Sequence, residues 1–390
     1  MKIQHVYMFL CLVLLFGNCS NNDDIYTIEI KDGVKYVHNR APLWGDESKI
    51  GLEFLQKIGV IEGKNENYLL YKPTCIAEDM KHNIYILDSG NYRIQKFDSN
   101  GRYLKTFGRR GQGPGEFFTP VCLAIDTIGT MYIGDIGINR IIILDSNGKE
   151  IRRIKLNSQK PIFILTKMNE FLVINEWGYE TQLLPQAPPG YRVGHSFKLG
   201  RPHENNLLQL FDCEGNCVNE FLPIQHYEDS FRDTYFNEIN YTIDSNSNIY
   251  VAYKHKNLIE KYDSNNNLIL KIDRLKNYQE SSGDVIESAI SNLKPPIVNQ
   301  FSHAIDIDSK GRIWVMSFIK HPTPEELVSK KPITNVTVFE IYAEDGTLLS
   351  TIPWKYYVDG LTFKIFNDNI YIIDPNNEMC VYQYKIVEIK

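Results

Sequence analysis
At 390 residues the chain can bury a large core, and one large β architecture fits that length as well as two or three smaller domains. Aromatic residues make up 12%, with 24 tyrosines, a composition suited to half-buried strands. The formal charge of −6 excludes a basic field for nucleic acid or for an anionic membrane surface.

Residues 1–19 predict an export signal. Lys2 precedes an apolar run from Val6 to Phe16, followed by a small-residue patch and Cys19. That run is too short for a helix to span ~30 Å of hydrocarbon. Cys19 stands where a lipoprotein signal places its acylated cysteine, and the "SNNDD" behind it resembles the polar tether of exported lipoproteins. Acylation there would hold the domain at a membrane through lipid alone. An ordinary secretory signal with an incidental cysteine is the alternative. Residues 20–49 are expected to form a tether and an irregular lead-in.

From there the chain repeats. "CIAEDMKHNIYILDSGNYRIQKFDSNGRYLKTFG" (75–108) aligns with "CLAIDTIGTMYIGDIGINRIIILDSNGKEIRRIKL" (122–156). Each holds four short apolar runs, a to d, separated by polar turns. Asp and Asn accept local backbone donors at such turns, and Gly supplies positive φ. Further copies start near Tyr241, Ala304 and Leu361, and a degenerate copy spans 161–223. Six copies of four strands predict an all-β fold, a six-bladed β-propeller of antiparallel blades over residues 50–390. The last copy has only three strands. Its outer strand is expected from "IGLEFLQKIG" (50–59), which would close the ring and cover an edge.

Between the first two copies lies "FGRRGQGPGEFFTP" (107–120). A phosphate-binding loop needs Gly-Lys-Ser/Thr leading into a helix, whereas this segment leads into a strand. It is predicted to be an inter-blade connector.

The stretch "DSGNYRIQKFDSNGRYLKTFGRRGQGPGEFFTP" resembles an NHL repeat, with its Asn-x-Arg-Ile, its Phe-Asp turn and its Gly-rich linker. The whole chain resembles the six-bladed β-propeller lipoproteins of Gram-negative bacteria. That resemblance implies the fold and an outer-membrane location, facing the periplasm or the outside. It implies chemistry poorly, because propellers host binders, scaffolds and enzymes alike.

In such blades the a–b and c–d turns share one face and the b–c and d–a loops the other. The long segments 107–120, 179–206, 274–302 and 319–335 are all of the second kind, so they crowd one mouth of the channel. "GDVIESAISNL" and "TPEELV" within them predict short helices, the second capped by Thr323. Candidate binding residues on that face are Arg93, Arg140, Trp177, Tyr179 and His303. Arg93 and Arg140 follow Asp88 and Asp135 in register, which suits either a guanidinium ring for a carboxylate ligand or an Asp–Arg brace built into each blade. Trp177 and Tyr179 suit stacking on a sugar or peptide, or filling space beneath an insertion. His303 begins strand a of the fifth blade, where other blades carry Thr74, Val121 and Ile239. A lone His is weak for a metal, and no cofactor or metal is expected. The "DSNSN" and "DSNNN" turns carry His255 or Arg274 at the twelfth position, not the Glu of a calcium loop.

Cys213 and Cys217 in "FDCEGNC" flank a turn and suit a small disulfide, free thiols or half of a metal site. Cys75, Cys122 and Cys380 read as buried thiols. No catalytic motif stands out. The expected function is a noncatalytic, envelope-anchored module presenting one face to a peptide, glycan or protein partner. An enzyme at the same mouth, for which the NHL-type lyase of peptidyl hydroxyglycine is the precedent, and a structural subunit of an envelope complex are the alternatives.

Overall fold
The turn aspartates explain why the repeat folds as it does. Asp79, Asp98, Asp126, Asp145, Asp244, Asp263 and Asp308 each accept the backbone N–H groups two and four residues on. At the a–b turns the second carboxylate oxygen takes an aromatic donor from strand b. Tyr85, Tyr132 and Tyr250 donate to Asp79, Asp126 and Asp244 at 3.0, 3.0 and 3.1 Å, and the Trp314 indole donates to Asp308 at 2.8 Å. The recurring aromatic residue at the second position of strand b therefore fixes the a–b turn to its own strand in blades 1, 2, 4 and 5.

The computed structural model describes residues 25–155, 164–167, 170–174, 179–182, 196–199, 206–212, 214–226, 235–281, 298–320, 322–323, 326 and 331–389. Three strands precede the repeats: β1 (Tyr26–Lys31), β2 (Val34–Asn39) and β3 (Ile50–Ile58). Blade 1 comprises β4 (Pro73–Glu78), β5 (Ile84–Asp88), β6 (Arg93–Phe97) and β7 (Tyr103–Phe107). Blade 2 comprises β8 (Pro120–Ile125), β9 (Met131–Asp135), β10 (Arg140–Leu144) and β11 (Glu150–Lys155). In blade 3, β12 (Ile164–Lys167) and β13 (Glu170–Ile174) are followed by an inserted hairpin, β14 (Tyr179–Gln182) and β15 (Ser196–Leu199). The blade resumes with β16 (Asn206–Phe211) and β17 (Cys217–Pro223). Blade 4 comprises β18 (Ile239–Ile243), β19 (Ile249–Tyr253), β20 (Leu258–Tyr262) and β21 (Leu268–Asp273). Blade 5 comprises β22 (Ala304–Ile307), β23 (Ile313–Phe318), β24 (Ile333–Tyr342) and β25 (Leu348–Tyr357). Blade 6 holds β26 (Thr362–Phe366), β27 (Asn369–Asp374) and β28 (Cys380–Glu388).

The fourth strand of blade 6 is β3, as expected. It pairs antiparallel with β28 from Val381↔Ile58 to Glu388↔Ile50. The core is a ring of seams between neighbouring blades. Tyr85 and Phe107 of blade 1 pack with Met131 and Ile142 of blade 2, and Ile154 of blade 2 packs with Phe211 of blade 3. Leu208 and Phe221 meet Tyr241 and Val251, and Tyr250 and Ile272 meet Ile313 and Tyr342. Trp314 and Phe339 meet Phe363 and Ile372, and Ile58, Tyr371 and Val381 meet Ile84 and Phe97 of blade 1. Every blade is thus buried on both flanks, and the ring closes.

One expectation needs correction. Where a tether and irregular lead-in were expected, β1 and β2 form an antiparallel hairpin across Asp32-Gly33, both at positive φ. β2 then pairs parallel with β21, so blade 4 has six strands. Val37 is fully buried in the seam between blades 4 and 5, which holds the hairpin in place. The chain then runs past blade 5, where Leu43 and Trp44 donate to the carbonyls of Leu348 and Leu349.

The glycine loop is a connector folded around Phe117, which is fully buried. Gly108 has φ +79°, and a Cβ there would lie 2.2 Å from the Phe117 ring. The N–H groups of Gly113 and Gly115 are taken by the carboxylates of Glu116 and Glu150.

Candidate functional site
The tight turns occupy one face of the disc. The described b–c and d–a connections, including 59–72, occupy the other. Much of the insertions lies outside the described residues, including Trp177, His195, His203, His321 and the 283–293 segment. Tyr179 opens β14 and is placed by backbone alone. The Thr323 hydroxyl accepts the Glu326 N–H, and the Glu326 carboxylate accepts the Thr323 N–H, the reciprocal pairing of a capping box. Cys213 is outside the described residues, and Cys217 opens β17 at an exposed position.

Arg93 and Arg140 sit in braces. Arg93 donates to Asp88 at 2.8 Å and to the carbonyls of Leu69 and Glu66. Asp88, fully buried, also accepts the Tyr71 N–H and the Asn91 amide. Asp135 does the same for Phe118 and Thr119, and Arg140 lies 3.6 Å from it while donating to the Glu116 carbonyl. These aspartates tie each incoming d–a loop to strand b. Asp88→Ala should therefore destabilise the domain by about 3 kcal/mol, because three part-buried donors lose their shared acceptor. Urea unfolding would measure it, and Asp88→Asn should lose less.

The brace position is Asp88, Asp135 and Asp374 in blades 1, 2 and 6, but Tyr253 in blade 4 and Ser317 in blade 5. Those two blades instead bury a glutamate in the central strand. Glu260 of β20 accepts from Tyr253, Tyr262 and Lys271. Glu340 of β24 accepts from Tyr342 at 3.0 Å, from Arg274 at 2.9 Å and from Lys276. Arg274 further donates to the Ser302 hydroxyl and the Phe301 carbonyl, and Lys276 to the Ser317 hydroxyl and the Phe318 carbonyl. Burial alone would raise the Glu340 carboxyl, but Arg274 and Lys276 outweigh it and hold it at about 2. Burial is the main reason Lys276 falls to about 8.

His303 lies beside this network. Its ring packs edge-on to Phe318, centroids 4.2 Å apart, and tilted against Tyr357 at 4.8 Å. Its Nε2 is buried and has no hydrogen-bond partner among the described residues. Burial, reinforced by Lys254, Arg274, His255 and Lys276, keeps the imidazole well below its usual range and therefore neutral. On the blade 4 side, Lys254 donates to Glu238 at 2.7 Å, and His255 Nε2 is 3.5 Å from the same carboxylate. The His255 Nδ1 pairs with the Asn299 carbonyl. The His255 and Lys254 contacts overcome the burial of Glu238 and hold it at about 2. Tyr278 stacks on Phe301 at 4.9 Å and completes an aromatic wall. Among the described residues, no three His, Cys, Asp or Glu side chains gather in metal-binding reach.

Of the candidate binding residues whose side chains are described, Arg93, Arg140 and His303, His303 joins this cluster. Glu238, Lys254, Arg274, Lys276 and Glu340 were missed as site residues. One signal was available: "LIEKY" and "VFEIY" each place a Glu inside an otherwise apolar central strand.

A family described as "6-bladed beta-propeller" matches residues 65–256. No curated protein matches the chain. Among solved structures, a member of the DUF4221 family from Bacteroides vulgatus is 13% identical with a TM-score of 0.59, covering 87% of this chain and 99% of its own. A protein from Bacteroides fragilis described as exported is 12% identical with a TM-score of 0.57, covering 90% and 100%. Virginiamycin B lyase from Staphylococcus aureus is 11% identical with a TM-score of 0.50, covering 87% and 100%. At these identities the likeness is one of fold. Blades, seams, closing strand and family match agree: the chain is a six-bladed β-propeller.

Proposed function
We propose that this propeller is a noncatalytic binding module anchored at the cell envelope, whose loop face takes a peptide, glycan or protein partner through the His303 cluster. The carrying observation is the buried Nε2 of His303, without a partner among the described residues, between aromatic rings and a surplus of cations. Rings suit a sugar or an aromatic side chain, and fixed cations suit a carboxylate. The burial that keeps the ring neutral disfavours the enzyme alternative at this residue. An imidazole this hard to protonate is a weak general base. Export and anchoring rest on the Val6–Phe16 run and on Cys19. Likeness to an exported Bacteroides protein is compatible with them. No helix among the described residues is long and apolar enough to cross a membrane.

The test is the metal content of the mature domain, exported without Cys19, together with calorimetry against muropeptides and oligogalacturonate. No tightly held transition metal is expected, and an anionic probe should bind at least tenfold more weakly to His303→Ala. One metal per chain, lost in His303→Ala, would overturn this proposal in favour of catalysis. For the anchor, Cys19→Ser in the full chain should move the protein from the membrane fraction to the soluble exported fraction.

A further inference from the structure
Cys75 and Cys122 occupy the same place in successive repeats. Each opens the apolar run of an innermost strand, Cys75 opposite Leu87 in blade 1 and Cys122 opposite Gly134 in blade 2. The two strands neighbour each other across the first seam. Cys75 packs against the buried cluster that contains Cys122, on the neighbouring innermost strand. Cys122 is 2% exposed, whereas Cys75 is half-buried, so a reagent reaches Cys75 first. The backbone N–H groups of Leu123 and Ile76 and the ammonium of Lys364 on β26 all favour a thiolate there.

We infer that Cys75 and Cys122 form an oxidisable pair, and that a disulfide between them staples blade 1 to blade 2 on the channel side once the protein is in an oxidising compartment. The oxidant is another disulfide, either a small molecule or a thiol oxidase. The Cys75 thiolate attacks one of its sulfurs, its S–S bond breaks, and one thiol leaves. Cys122 then loses its proton and attacks the Cys75 sulfur of the mixed disulfide, expelling the second thiol. Two protein thiols are oxidised and one external disulfide is reduced to two thiols. Among the described cysteines, Cys380 is fully buried in the seam between blades 5 and 6, away from this pair.

The experiment uses the exported domain carrying Cys19→Ser, Cys213→Ser and Cys217→Ser, with oxidised glutathione as the probe. After oxidation, unfolding in N-ethylmaleimide and digestion without reductant should give a cross-linked peptide pair containing Cys75 and Cys122, two hydrogens lighter than the separate peptides. Dithiothreitol should lower the melting midpoint by about 5 °C, because the bridge closes a long loop. The same treatment should leave a variant with Cys75→Ala and Cys122→Ala unchanged. Maleimide on both cysteines after oxidation would overturn the inference. So would glutathione retained on Cys75 beside an unreacted Cys122, since the sulfurs would then be unable to meet.

Discussion

Deleting residues 50–58 should abolish cooperative folding of the whole ring, rather than trim one strand from its edge. β3 is the fourth strand of blade 6, and its removal exposes the full length of β28 as an unpaired edge. The loss also opens two seams. Ile58, 1% exposed, packs between blades 6 and 1, and Ile50, equally buried, packs in the seam between blades 5 and 6. Gln56 further bridges to the Ser99 carbonyl in blade 1 and to Gln383 in blade 6. Two buried isoleucines alone contribute roughly 1.5–3 kcal/mol each, against a total stability of about 5–15 kcal/mol. The paired backbone adds to that. The milder Ile58→Ala should cost about 2–5 kcal/mol and lower the urea midpoint without changing the slope. A deletion variant that melts like the intact protein would show that the ring does not depend on its closing strand.

Glu340→Gln should be the most damaging single change at the His303 cluster. It leaves Arg274, whose side chain is fully buried, and Lys276 without their shared anion, at a cost of about 3–5 kcal/mol. The pH dependence follows from the direction of the shift. In the folded protein Glu340 is held at about 2, below the ~4.3 of an unfolded glutamate. Its contribution is therefore complete above about pH 4.3 and is lost as the pH falls towards 2, a span of roughly 3 kcal/mol. Urea midpoints of the native protein should fall through that window, and those of Glu340→Gln should fall less. Equal slopes for the two proteins would mean that the carboxylate is not charged in the fold.

Blade number and ring closure were legible because their causes are local. Each of the turn aspartates finds its backbone donors within four residues, and Asp79, Asp126, Asp244 and Asp308 find an aromatic partner six residues on, so the motif and the contact coincide. The missing outer strand of the last copy pointed to residues 50–59. The hairpin of β1 and β2 was missed although "IKDGVK" carries a turn signal, because its partner β21 is more than 200 residues away. The cluster around His303 was hidden for a similar reason. Arg274 and Glu340 meet only when blades 4 and 5 are set side by side, and the departures from the brace, Tyr253 and Ser317, gain meaning only in register. The inner cysteines show the converse, since aligned repeats already put them at one level.

The N-terminal belt also has a mechanical consequence. β1 lies at the outer edge of six-stranded blade 4, so any pull on the residues before Tyr26 enters at the rim of the disc. The load would fall first on the bonds of β1 to β2, then on those of β2 to β21, and only afterwards on β3. The hairpin would thus yield before the closing strand, as a fuse that spares the ring.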